Sequence, residues 1–261
     1  LPVQYRRMLV YPDYTYGYGF CVGFLGAFID SIAGGGGLIT LPAYMASGLP
    51  PHLALGTNKM SGLFSSIGSS INYARSGKVN WTLMKYLLPF SFTGAFIGVK
   101  AVIRTKAESI SYIVFIALVL VFLYTLFNKK IGQENEFEGL TKKNLIQGAI
   151  MALVIGFYNG FLGPGTGSFL AFFLIKIFKY DFINGNGNAR ILNLAGNVTG
   201  FLVFLANGKI LLNYGIPISI VMFLGAQCGS HCAILKGNKF IKPIFLIVTV
   251  LTILKMFFQL F

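Results

Sequence analysis

Nothing limits the fold of this chain more than its long stretches without a single charge. The run "SYIVFIALVLVFLYTLF" (Ser111 to Phe127) holds no acid and no base. It approaches the roughly 20 apolar residues that a helix needs to cross a hydrocarbon core. Over the whole chain only 11% of 261 residues are charged, 55% are hydrophobic and the mean hydropathy is +0.73. A soluble domain carries about 25% charge. The sequence therefore predicts an all-α, polytopic transmembrane helix bundle, an integral protein of a bacterial-type inner membrane whose first partner is the lipid bilayer.

Ten apolar segments are expected, at 16–33, 37–48, 57–74, 82–103, 109–127, 144–162, 167–179, 188–206, 212–235 and 240–260. Eight are near full spanning length. The second and seventh, at about a dozen residues, are too short to span and read as broken or re-entrant half-helices. No short apolar core with a cleavage site opens the chain, so no signal peptide is expected; the missing initiator Met suggests trimming at the front. The net charge of +14 sits in short breaks between apolar runs, the distribution of membrane loops rather than of a nucleic-acid-binding face. In alternate loops, one side carries six Lys and Arg (Arg6, Arg7, Lys100, Arg104, Lys106, Lys209) and the other twelve. The positive-inside rule makes the second side cytoplasmic and leaves both termini outside.

The long polar linker "NKKIGQENEFEGLTKKN" (128–144) separates two homologous halves, 1–130 and 140–261. "FIDSIAGGGGLITLPAYM" in the first corresponds to "FYNGFLGPGTGSFLAFFL" in the second, and "LGTNKMSG" to "GNGNARIL". An offset of 130 pairs Asn58 with Asn188, and one of 131 pairs Lys59 with Arg190 and Gly77-Lys78 with Gly208-Lys209. This is an internal duplication. Five or three crossings per half, both odd, predict that the repeats are inverted. A broken pair making one crossing would give four, and parallel repeats.

Chemistry concentrates at matched places in the two halves. Three cations remain outside the loop tally, Lys59, Arg190 and Lys255; Lys255 can snorkel to the interface, whereas Lys59 and Arg190 are each expected near a helix start. An anion profits there both from free N–H groups and from the side-chain charge. The glycine breaks Gly34, Gly35, Gly36, Gly37 and Gly165, Thr166, Gly167, Ser168 each lead into a short helix. Non-helical backbone at membrane depth is tolerated where it lines a polar cavity, so these breaks are expected to present N–H donors to a substrate. Thr57, Asn58, Asn188, Asn193 and Asn197 follow as polar companions, with Ser61, Ser65, Ser66, Ser69 and Thr199 on the same two segments. Asn193 and Asn197 share a helix face. Asp30 is the sole acid deep in an apolar segment, and such carboxylates serve proton coupling or cap backbone. The same offsets give it Gly160 or Phe161 as counterpart, neither of them ionisable. Cys21, Cys228 and Cys232 fit no metal pattern, His52 and His231 read as structural, and no catalytic constellation is present; no cofactor or metal is expected.

"GFLGAFIDSIAGGGGLITLPAYMASGLPPHLALGTNKM", with "GFYNGFLGPGTGSFLAFFL" and "NGNARILNLAGNVTG", resembles the sulfite exporter TauE/SafE family over nearly the whole chain from Gly17. The resemblance implies a carrier of small anions, often sulfur oxyanions or organosulfonates, with about eight spans. By position it assigns the glycine clusters, Thr57-Asn58-Lys59 and Asn188-Ala189-Arg190 to the site. The function expected is secondary transport of a small anion, sulfite or a related sulfur anion, with protons as a candidate coupling ion. An anion channel is the first rival; an intramembrane enzyme or scaffold comes after it.

Overall fold

The computed structural model describes residues 12–47, 49–104, 132 and 134–237, with 239–240, 243–244, 247, 250 and 254 beyond them. Among the described residues eight helices follow one another and there is no strand. They are α1 (Pro12–Ala33), α2 (Gly37–Ala46), α3 (Pro51–Arg75), α4 (Trp81–Val102), α5 (Lys142–Phe161), α6 (Thr166–Phe178), α7 (Phe182–Ala206) and α8 (Leu212–Lys236). The expected fifth segment, 109–127, lies outside the described residues, as do most of the tenth and Arg6, Arg7, Lys106, Lys129, Lys130, Lys242 and Lys255.

α3 and α7 each begin six residues earlier than expected, at Pro51 against 57 and at Phe182 against 188, and the difference moves the cations. α3 starts at Pro51, a residue whose fixed φ and missing N–H suit a first turn. α7 starts at Phe182, because the Asp181 carboxylate accepts from Asn184 N at 2.7 Å and caps it. Lys59 and Arg190 are therefore each the ninth residue of their helix, well inside rather than beside an N-terminus.

α4, α5, α7 and α8 are long and apolar enough to cross a membrane. α3 is as long as α7 but fails on composition, because its polar residues face inward: Thr57, Asn58, Lys59, Ser61, Ser65, Ser66, Ser69 and Ser70 are all buried. Large apolar side chains point outward instead, among them Phe90, Phe96 and Ile97 of α4, Ile150 and Val154 of α5, and Ile216, Ile220 and Leu224 of α8. Apolar outside and polar inside is the pattern of a bundle dissolved in lipid.

Small residues let the helices meet backbone to backbone. Gly94 and Gly98 of α4 lie against Leu153 and Phe157 of α5, and Gly156 and Gly160 of α5 against Ser91 and Ala95. This is the small-xxx-small packing of membrane helices. Residue numbers rise together along this contact, so α4 and α5 run parallel. α1 and α8 do the same, with Gly19 beside Tyr214 and Gly229 beside Phe28. α3 also runs parallel to α8: Gly215 abuts Thr57, and Asn72 donates to Gln227 O at 2.9 Å. α3 and α7 run antiparallel, for Gly200 lies on the Lys59 side chain while Asn197 donates to Ser66 Oγ at 2.8 Å. α2 folds back along α1, with Thr40 packed on Gly26.

Several of these contacts recur with the halves exchanged. Gly56 approaches the Lys209 carbonyl as Gly187 approaches that of Lys78. Thr57 Oγ1 accepts from Leu211 N at 3.0 Å, and Asn188 Oδ1 accepts from Asn80 N at 2.9 Å.

Candidate anion-binding site

Where the two glycine breaks meet, the backbones touch. Gly34 has φ +82°, and a Cβ there would run into the backbone of Gly167 and Ser168. Only glycine meets both conditions. Ser168 fastens the junction: its N–H and Oγ donate to Gly34 O at 3.1 and 2.9 Å, and its Oγ also to Ala33 O at 2.8 Å. Beside the junction is a polar cavity of about 30 Å³, room for about one water. Asp30, Gly36, Gly37, Asn58, Lys59, Gly165, Thr166, Gly167, Asn193 and Asn197 line it, all of them expected site residues, together with Thr40, Gly62, Ser65, Gly163 and Met222.

The two cations have different partners. Arg190 is fully buried, and its Nη1 donates to Asp30 Oδ2 at 2.7 Å. The other carboxylate oxygen of Asp30 accepts from Gly36 N, at the start of α2, at 3.0 Å. At the first break, then, the anion at the helix start is the protein's own carboxylate. Arg190 Nε and Nη2 have no hydrogen-bond partner among the described residues, and the guanidinium lies behind Gly167 rather than in the cavity wall.

Lys59 is buried too, but its ammonium meets a neutral amide. It donates to the carbonyl oxygen of Asn159 and, at 2.7 Å, to Asn159 Oδ1. Asn159 Nδ2 donates in turn to Asn193 Oδ1 at 3.0 Å, which fixes the amide with its oxygen toward the lysine. Gly163 and Gly200 make room for the chain: a Cβ on either would meet Lys59 Nζ or Cδ at 2.7 Å. Among the described residues no carboxylate pairs with Lys59. The same cavity holds Ser65 Oγ, buried and without a hydrogen-bond partner among the described residues.

Asn159 stands to Lys59 as Asp30 stands to Arg190, where the offsets of 130 and 131 give Asp30 Gly160 or Phe161 as counterpart. The signal was legible: aligning "FIDSIAGGGG" and "FYNGFLGPGT" from their phenylalanines puts Asn159 opposite Asp30. The cation offset of 131 hid it, since the register changes between break and helix. Four other expected site residues act elsewhere. Thr57 and Asn188 hold the turns of the opposite half, and Gly34 and Ser168 join the breaks. Gly35 is buried near them without lining the cavity. The three cysteines are free.

Residues 19–256 match the sulfite exporter TauE/SafE family. The chain belongs to that family. This TauE/SafE protein is 33% identical to a probable membrane transporter protein of Haemophilus influenzae, over 92% of this chain and 93% of the other. It is 36% identical to the probable membrane transporter protein ORF9 of a Sinorhizobium species over 88% of each chain. With the probable membrane transporter protein YfcA of Escherichia coli K12 it shares 34% over 92% of its length and 88% of the relative's. No solved structure matches it. Family and helical architecture together make it an integral membrane transporter.

Proposed function

We propose that this TauE/SafE protein is a secondary transporter of a small anion, sulfite or another sulfur oxyanion or organosulfonate, in a bacterial-type inner membrane. The observation that carries the reading is Lys59. A buried ammonium without a carboxylate is costly, and an anion in the cavity supplies the missing charge. Gly165 to Gly167 at the start of α6 would meet it with backbone, while Asn58, Ser65, Asn193 and Asn197 orient its oxygens. Asp30 lies on the cavity wall, its charge met by Arg190 behind Gly167. Any proton step is assigned to Asp30, the one carboxylate lining the cavity among the described residues. The sulfur anion is favoured by the family's name alone; the anion by the charge.

The antiparallel course of α3 and α7, with their exchanged contacts, supports two inverted repeats, 1–130 and 140–261, that rock about the cavity between them. A cavity this small supports a closed intermediate of such a cycle.

Reconstitution into liposomes tests the reading. Radiolabelled sulfite should enter vesicles preloaded with sulfite in a saturable way, and Lys59→Gln should abolish the exchange. Ohmic anion conductance without exchange would replace the carrier by a channel.

A further inference from the structure

The charge count at the cavity goes further than the sign of the substrate. We infer that the site selects monoanions over dianions, and that Asn159 is the positioning residue that sets this preference. The inference rests on the reading of Lys59 as the substrate's cation.

Both halves place a side chain opposite a buried cation of the other half. In the first half that side chain is Asp30, which neutralises Arg190 at 2.7 Å. In the second it is Asn159, of the same size and shape but without the charge, bound to Lys59 at 2.7 Å. With Arg190 counted behind Gly167, the charged groups at the cavity, Lys59, Asp30 and Arg190, sum to one net positive charge rather than none or two. A monoanion closes that balance. A dianion leaves one negative charge buried, and an unpaired charge in a low-dielectric site is strongly disfavoured. Asn159 acts through Lys59, for it does not itself line the cavity. Its amide holds the ammonium without cancelling it, leaving the charge for the ligand.

Methanesulfonate and sulfate are suitable probes, being alike in shape and different in charge. Binding is read as thermal stabilisation of the purified full chain at matched ionic strength. In the unmodified protein methanesulfonate should bind at least about tenfold more tightly than sulfate. Asn159→Asp, which neutralises Lys59, should lose both anions. Asp30→Asn, which frees Arg190, should shift the preference toward sulfate. The double variant Asp30→Asn/Asn159→Asp moves the carboxylate from one cation to the other, restores one net charge and should regain methanesulfonate binding. A merely structural Asn159 would give no such rescue. Sulfate binding as tightly as methanesulfonate, or an Asn159→Asp variant that keeps methanesulfonate, overturns the inference. The unmodified protein decides alone if a variant does not fold. If neither anion stabilises it, the anion-carrier reading falls, and the inference with it.

Discussion

The two buried cations, Lys59 and Arg190, each stand ninth in their helix and meet different partners. Arg190 is held: it is buried, paired with Asp30 and packed against Gly167. Lys59 is open: buried as deeply, it holds only amide oxygens and faces the cavity. From the same position in their helices, one cation meets a carboxylate while the other meets an amide. The largest expected effect tests that division. Arg190→Gln leaves the Asp30 carboxylate without its cation, and breaking a buried pair this way costs about 3–5 kcal/mol. Chemical or thermal unfolding in detergent should show the loss, with much of it recovered in Asp30→Asn/Arg190→Gln.

The cation positions, the breaks and most cavity residues were legible in the sequence. Charges stand out in apolar segments, and glycine clusters have few other uses there. The partnership was not legible. Asp30 reads as a lone acid, and nothing local says that it meets Arg190 across the interface between halves. The contacts of Thr57 and Asn188 were hidden for the opposite reason. These two residues stand next to the cavity residues in sequence, but a helix turns about 100° per residue, and that rotation points them at the turns of the other half. The early start of α7 escaped because Gly and Asn in "GNGNAR" read as a break. Burial against neighbouring backbone overrides that propensity.

The glycine breaks sharpen the same comparison at a smaller scale. Gly34→Ala would strain a φ of +82° and drive a methyl group into the Gly167 backbone, which cannot yield. A loss of about 2–3 kcal/mol is expected in unfolding measurements. Gly163→Ala, at φ +91°, would instead meet the flexible end of Lys59. Its stability loss should be smaller, about 1 kcal/mol for the strained backbone. Anion affinity should fall more clearly, as isothermal titration would show. Equal folding defects with no change in affinity would erase the distinction between the halves.

The mildest effects belong where the halves are equivalent. Thr57→Val and Asn188→Leu each remove an acceptor from a backbone N–H of the opposite half. Each should lower stability by about 1 kcal/mol, with anion affinity unchanged and the two variants alike. A strong loss of affinity in either would return that residue to the substrate site.

Lys59→Gln tests the central claim most directly, through sulfite binding to purified protein measured as thermal stabilisation. Removing a buried charge that has no carboxylate partner should leave the variant folded and at least as stable as the parent. Sulfite, which stabilises the parent, should leave the variant's melting temperature unmoved. A folded Lys59→Gln protein that sulfite stabilises as much as the parent would contradict the account.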